Sequence, residues 1–75
     1  MNENQEIVYN YLSWELMSTS ITPMSIIYYM IDNLDEIPND VYVAYTQLSK
    51  EEELYVLYNI CENYIHFAQR NEPNE

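Results

Sequence analysis

The sequence contains no glycine, and this absence removes several classes of functional site. A Walker phosphate-binding loop, a dinucleotide-binding fingerprint and an EF-hand calcium loop each require glycine at a fixed position. Tight two-residue hairpin turns also favour glycine. The composition therefore excludes these three motifs and favours helices over β-hairpins.

Cysteine and basic residues are almost as scarce, since the chain has one cysteine, Cys61, and two basic side chains, Lys50 and Arg70. A single cysteine allows no internal disulfide, so a disulfide-stapled secreted scaffold is not expected.

No basic segment followed by an apolar run opens the chain, and no apolar stretch approaches the roughly 20 residues that span a bilayer. The acidity also disfavours anionic membrane surfaces. We expect a cytoplasmic protein with no membrane partner.

Carboxylates are what the chain has in excess. Thirteen acidic residues give a formal net charge of −11 on 75 residues, whereas a net charge of about 2–8 suits an ordinary small domain. Repulsion of this size destabilises a compact state. The excess therefore favours a role in function, although a merely solvated surface is an open alternative.

The apolar content nevertheless indicates a folded chain. Hydrophobic residues make up 48% of the sequence and nine residues are tyrosine, whereas disordered acidic segments are poor in aromatic residues. Seventy-five residues make one domain at most. We interpret residues 1–75 as a single small acidic helical domain that ends in a frayed tail at 71–75.

Hydrophobic periodicity predicts an all-α fold, a small bundle of three main helices and one short helix. The main helices are expected at about residues 4–17, 23–34 and 50–70. Thr22 and Pro23 are typical of a helix start, and Ser49 with Glu52 forms a capping box. Residues 41–48 have the composition of a strand but also fit a helix face. Because no other segment offers a strand partner, we predict a short helix there.

Apolar stripes predict which helix faces are buried. The second helix is apolar nearly all round, and this pattern is typical of a central helix. The predicted core stripes are Val8, Tyr11, Leu12 and Leu16 in the first helix; Met24, Ile27, Tyr28, Ile31 and Leu34, widened by Ile26 and Met30, in the second; Val41, Ala44, Tyr45 and Leu48 in the short helix; and Leu54, Leu57, Tyr58, Cys61, Tyr64, Ile65 and Ala68 in the last.

The last helix carries a second apolar stripe, formed by Val56, Ile60 and Phe67. The two stripes together cover about 200° of the helix circumference, which is more than one neighbour in a bundle needs. One interpretation is that the second stripe is the seam of a homodimer. The other is that the helix lies between two neighbours within the same chain.

Catalytic and metal-binding sites are not expected. Cys61 and His66 are the only thiol and imidazole, and they lie about 140° apart around the helix axis, too far round to act as a nucleophile and base. One histidine and one cysteine also leave a zinc site short of ligands. A chain this small cannot build the shielded pocket that a catalytic carboxylate pair needs. We predict no enzyme activity, metal or cofactor.

The predicted partner-binding surface combines carboxylates with tyrosines. One acidic cluster lies at the C-terminus of the second predicted helix, where the helix dipole disfavours anions, so folding alone does not explain it. Outward-facing tyrosines suit an interface. The predicted site residues are Asp32, Asp35, Glu36, Asp40, Glu52, Glu62, Tyr29 and Tyr55.

Glu15 breaks the pattern, because it falls inside the apolar face of the first helix. A buried carboxylate without a partner is costly. Either the last turn of this helix lets Glu15 reach water, or Glu15 pairs with Lys50 or Arg70.

Two functions fit these observations. The first is a non-enzymatic inhibitor that mimics nucleic-acid phosphates, as phage DNA mimics do, and occupies the basic nucleic-acid-binding site of a target protein. The second is a helical interaction module or regulator, antitoxin-like or a small subunit, that binds through an apolar helix face. Affinity that falls steeply with salt would favour the first function over the second.

Either function predicts that the chain itself does not bind DNA or RNA. Thirteen acidic residues repel phosphates, and two basic residues cannot form a basic patch. An electrophoretic mobility-shift assay at physiological salt should therefore show no complex with duplex DNA or RNA. A shifted band under these conditions would contradict the phosphate-mimic hypothesis.

Overall fold

Four helices make up the described part of the chain: α1 (Glu3–Ser18), α2 (Pro23–Asp32), α3 (Asn39–Thr46) and α4 (Lys50–Asn71). The computed structural model describes the backbone of residues 1–71 and the side chains of residues 1–66. No strand occurs in this range. The predicted all-α bundle is confirmed, and the ambiguous segment folds as the short helix α3. The predicted tail lies outside the described residues from residue 72 onward.

Polar residues fix the starts of α1 and α2. The Gln5 backbone N–H donates to Asn2 Oδ1 at 2.8 Å, and the Asn2 backbone N–H donates to Gln5 Oε1 at 2.7 Å. This reciprocal pair is a capping box that satisfies two backbone donors at the helix end. Thr22 caps α2 as predicted, since its Oγ1 accepts from the Ser25 N–H at 3.2 Å and Pro23 occupies the first helical position.

The central helix of the bundle is α1, which packs against α2, α3 and α4. Of its predicted stripe, Val8, Leu12 and Leu16 are buried, whereas Tyr11 is half-buried. The prediction of a central α2 is wrong. This helix packs on α1 with Ile26 and Met30 as its buried residues, whereas Met24, Ile27, Tyr28 and Ile31 are exposed.

The helices α1 and α4 run in the same direction. Near the start of both, Asn2 Nδ2 donates to Glu52 Oε2 at 2.7 Å, and farther along both the Asn63 amide donates to the Tyr9 hydroxyl. Lys50 therefore lies near the start of α1.

Glu15 lies near the end of α1, at the other end from Lys50, so the predicted pair of Glu15 with Lys50 is wrong. The side chain of Arg70, the other predicted partner, lies outside the described residues. Glu15 is half-buried, and the neighbour that the structure gives it is Tyr11.

The buried faces of α2 and α4 are rotated from those that the sequence predicts. In α4, Val56 and Ile60 are buried at 2% exposure, whereas Tyr58 and Ile65, which were predicted as core, are 59% and 55% exposed. A helix that packs on one neighbour buries only the strip facing it. Of the two adjacent apolar stripes of α4, the one that contains Val56 and Ile60 is buried in the core.

The predicted homodimer seam is therefore corrected by the fold. Val56 and Ile60 lie in the chain's own core, so they are not available to a second copy, and the side chain of Phe67 lies outside the described residues. Cys61, predicted as a core residue, is exposed. The same rotation in α2 leaves Met24, Tyr28 and Ile31 exposed and buries Ile26.

Two isoleucines of α4 test this rotation. Ile60→Ala should lower the free energy of unfolding by about 2–5 kcal/mol because it opens a cavity in the core. Ile65→Ala, the same change on the exposed side, should alter it by less than about 0.5 kcal/mol. Urea denaturation followed by circular dichroism measures both, and Ile60→Val gives a milder core change of about 0.5–1.5 kcal/mol. Equal losses for Ile60→Ala and Ile65→Ala would show that α4 is oriented differently.

Candidate protein-binding surface

One side of α4 carries a continuous exposed apolar strip. At about 100° per residue, Leu54, Tyr58, Cys61 and Ile65 fall within about 60° of one another around the helix. All four are exposed. Leu57 is half-buried and lies between this strip and the buried Val56, so the exposed strip continues directly from the core.

The outer side of α2 carries a second apolar strip. Met24 and Tyr28 are 88% and 71% exposed, and Ile27 and Ile31 are exposed beside them. These side chains span about two turns of a ten-residue helix. Ile27 and Ile31 lie next to the buried Met30, so this strip too borders the core.

A shallow groove lies between the two strips. It leaves about 50 Å³ of unfilled space, which exceeds the roughly 10–15 Å³ that one water molecule needs. Its lining residues are Val8, Leu12, Ile27, Met30, Ile31, Tyr45, Leu48, Glu53, Val56 and Leu57. Glu53 is the only charged residue among them. The two strips and the groove form one surface, termed the apolar face, which consists of Met24, Ile27, Tyr28, Ile31, Leu54, Leu57, Tyr58, Cys61 and Ile65.

Carboxylates border the apolar face on both helices. On α2, Asp32 lies one helical turn after Tyr28. On α4, Glu51 and Glu62 lie about 20–40° from Tyr58 around the helix axis. All three are exposed, whereas Glu53 is half-buried in the groove wall. The Glu53 carboxylate makes no hydrogen bond or ion pair with any described side chain. Lys50 is the one basic side chain described, and it lies at the start of α4.

The predicted acidic cluster of Asp32, Asp35, Glu36 and Asp40 is exposed throughout. Asp32 ends α2, and Asp35 and Glu36 lie in the turn that follows it. Asp40 lies in the first turn of α3, where the helix dipole favours an anion. Asp40 therefore lies at a helix start, and its predicted place at a helix C-terminus is wrong. Local folding favours its charge there but does not account for the other three.

Glu52, which the sequence places in the partner-binding set, has a structural role. The Ser49 backbone N–H donates to Glu52 Oε1 at 2.8 Å, and the Glu52 N–H donates to Ser49 Oγ at 3.2 Å, which is the predicted capping box. Asn2 Nδ2 donates to the other carboxylate oxygen. The Ser49 hydrogen bond, helped by Asn2, holds the pKa of Glu52 below its usual value. One carboxylate oxygen thus caps α4 and the other joins α4 to the start of α1.

The two predicted site tyrosines have different environments. Tyr29 is half-buried. Partial burial, reinforced by the nearby Glu15 carboxylate and by Tyr29, raises the pKa of Tyr11 to about 12. Tyr55 is exposed and stacks on Tyr58, with 6.4 Å between ring centroids and 20° between ring planes. Tyr55 therefore lies beside the ring of Tyr58 at the acidic border of the apolar face, while Tyr29 contributes to a half-buried polar contact with Tyr11.

Comparison with known proteins gives no relative, since no protein-family model, no curated protein and no solved structure matches the chain. Among the described residues, no helix is long and apolar enough to cross a membrane. In the same part of the chain, no three potential metal-ligating side chains come together. Function therefore has to be inferred from the geometry of the apolar face and its carboxylates.

The titration of Tyr11 should make the fold less stable at high pH. The folded chain holds the Tyr11 proton up to a pKa of about 12, whereas an unfolded tyrosine loses it near about 10. The free energy of unfolding should therefore be unaffected by this group below about pH 10 and should fall as pH rises toward about 12. Tyr11→Phe should flatten this decrease in urea titrations, while Tyr42→Phe, at an exposed position, should not. An unchanged pH dependence in Tyr11→Phe would contradict the assignment.

Proposed function

We propose that the chain is a non-enzymatic protein-interaction module, a regulator or small subunit that binds its partner through the apolar face. The observation that carries this proposal is the exposure of large apolar side chains on two neighbouring helices, with Met24, Tyr28 and Tyr58 the most exposed. Soluble domains rarely expose large contiguous apolar patches without an interaction to cover them. Covering such a surface yields roughly 25 cal/mol for each Å² removed from water.

The shape of the groove supports a macromolecular partner. Its free volume is about 50 Å³, whereas sites for drug-sized molecules have about 300–1,000 Å³. A small molecule would therefore stay mostly in solvent. Tyrosine is enriched among the residues that dominate protein interfaces, and Tyr28 and Tyr58 are well placed for that role.

The carboxylates supply selectivity in this proposal. A net charge of −11, with Asp32, Glu51 and Glu62 beside the apolar face, repels acidic partners and steers cationic ones toward it. Charge of this kind acts mainly on the association rate, while the apolar contacts set the dissociation rate. The partner is therefore a protein with a basic surface.

Phosphate mimicry is a second candidate function, and the acidic cluster favours it. Asp32, Asp35, Glu36 and Asp40 are all exposed, and none makes a hydrogen bond or ion pair with a described side chain. Four free carboxylates within one short segment could occupy the basic nucleic-acid-binding site of a target protein, as nucleic-acid phosphates do. Binding would then depend on this cluster, with the apolar face contributing little.

Two sets of substitutions separate the candidates once a partner has been isolated. The first, Ile31→Ser with Tyr58→Ser, changes only exposed side chains of the apolar face. The second changes the acidic cluster to Asn or Gln. Interaction through the apolar face predicts that the first set weakens binding by about tenfold or more. The second set should mainly slow association and should keep or slightly raise the melting temperature, because repulsion is removed.

Biolayer interferometry at low and high salt provides the measurement, with circular dichroism to show that each variant is folded. Dissociation from the apolar face should change little between the two salt concentrations, because apolar contacts are not screened, whereas association should slow moderately at high salt as the steering charges are screened. Normal affinity in the Ile31→Ser and Tyr58→Ser variant, with steep loss in the neutralised variant and at high salt, would overturn the interaction-module proposal in favour of phosphate mimicry.

A further inference from the structure

We infer that the occupant of the apolar face is an amphipathic helix of a partner protein, with lysine or arginine residues beside its apolar stripe. This inference rests on the proposed function and adds the secondary structure and the charge of the partner segment. It follows from three features of the surface: the absence of free backbone groups, the spacing of the exposed side chains, and the position of the carboxylates.

The groove offers side chains but no backbone groups to an occupant. Its lining comes from all four helices and from Leu48 in the connection between α3 and α4. Backbone N–H and C=O groups inside a helix are bonded within it, and no strand edge exists among residues 1–71. An extended segment in this groove would bury backbone polar groups without partners, at considerable cost. A helix satisfies its own backbone groups, so a helical occupant covers Ile27, Ile31 and Leu57 at a lower desolvation cost than an extended segment.

The spacing of the exposed side chains is that of a helix–helix seam. On α4, Leu54, Tyr58, Cys61 and Ile65 are separated by four, three and four residues, and on α2 Met24, Tyr28 and Ile31 repeat the four-three spacing. This spacing keeps side chains in line with a partner helix and provides holes for its apolar residues. The strip on α4 from Leu54 to Ile65 extends over about 17 Å, or three turns. The surface therefore matches a partner helix of about three to four turns that lays its apolar stripe between α2 and α4.

The carboxylates determine the charge of that helix. Glu53 lies half-buried in the groove wall without a described side-chain partner, and a cation from the occupant would relieve its loss of hydration. Asp32, Glu51 and Glu62 stand where the polar flanks of the occupant would pass.

A second copy of this chain does not fit the same charges. Two chains that each carry −11 would bring their acidic borders together, and like charges facing each other across an interface cost several kcal/mol. A helix with basic flanks is attracted by the same carboxylates that repel a second copy. Charge complementarity thus selects a basic helix over self-association.

Three synthetic peptides of equal length test the inference directly. The first is an amphipathic helix of leucine and lysine with leucines at four-three spacing. The second keeps the leucines and replaces lysine with glutamate. The third has the composition of the first in an order that forms no stripe. Fluorescence anisotropy at physiological salt should show the first binding at least about tenfold more tightly than either of the others.

The outcomes separate the inference from the proposed function. Equal binding of the scrambled basic peptide would show attraction by charge alone and would overturn both the inference and the apolar-face proposal. Equal binding of the acidic helix would overturn the inference about charge but leave the apolar face as the binding site. Absence of peptide binding would overturn the inference, and light scattering that then finds a dimer would identify a second copy as the occupant.

Two matched pairs of variants locate the peptide on the surface. Ile31→Ser with Tyr58→Ser should abolish the preference for the amphipathic peptide, whereas Tyr42→Ser with Val43→Ser, at exposed positions of α3, should not. Glu53→Gln should weaken binding by about two- to fivefold, the range of a partly exposed ion pair. Glu3→Gln, in the first turn of α1, is its matched control. If the variant and its control in either pair change peptide binding equally, the peptide binds elsewhere and the inference is overturned.

Discussion

The packing of three helices on the single stripe of α1 is the constraint on which the structure depends. Val8, Leu12 and Leu16 form this stripe, and α2, α3 and α4 all contact the helix that carries it. Each of these neighbours can bury only the strip that faces inward. Both α2 and α4 have apolar residues over much wider arcs, so part of each arc has to remain exposed. The apolar face is the direct consequence.

Acidic residues have two distinct roles in this arrangement. Glu52 has both carboxylate oxygens engaged by Ser49 and Asn2, so it holds the starts of α1 and α4 together. Glu53, one residue later, lines the groove and its carboxylate has no described partner. Adjacent glutamates in one helical turn therefore differ in environment because of the side of α4 on which they lie. A charge count alone cannot make this distinction.

The sequence is sufficient to predict the helices, the short helix α3, the caps at Thr22 and Ser49, and the buried stripe of α1. Each of these follows from local rules, since capping and periodicity depend on neighbouring residues. The orientation of α2 and α4 could not be predicted in the same way. When an arc of about 200° is apolar, periodicity shows that the arc exists but not which part of it meets a neighbour.

A signal for the correct orientation is nevertheless present in the residue types. The strip of α4 that contacts α1 contains the compact residues Val56 and Ile60, whereas the exposed strip contains Tyr58, whose hydroxyl is better accommodated at an interface. A chain of 75 residues also buries only about 60–65% of the surface that its unfolded form exposes. The periodicity suggests that every apolar stripe of α2 and α4 lies in the core. That arrangement would require more buried surface area than a chain of this size can provide.

Cys61 provides the most direct measurement of the central claim, that the apolar face of α4 is exposed in the folded chain. It is the only thiol in the sequence and it lies in the middle of the exposed strip. Reaction with a chromogenic disulfide reagent should label Cys61 in native buffer at a rate close to that in denaturant, because an exposed thiol needs no unfolding to react. A thiol that reacts only at the rate of global unfolding would show that this side of α4 is buried, and would contradict the account.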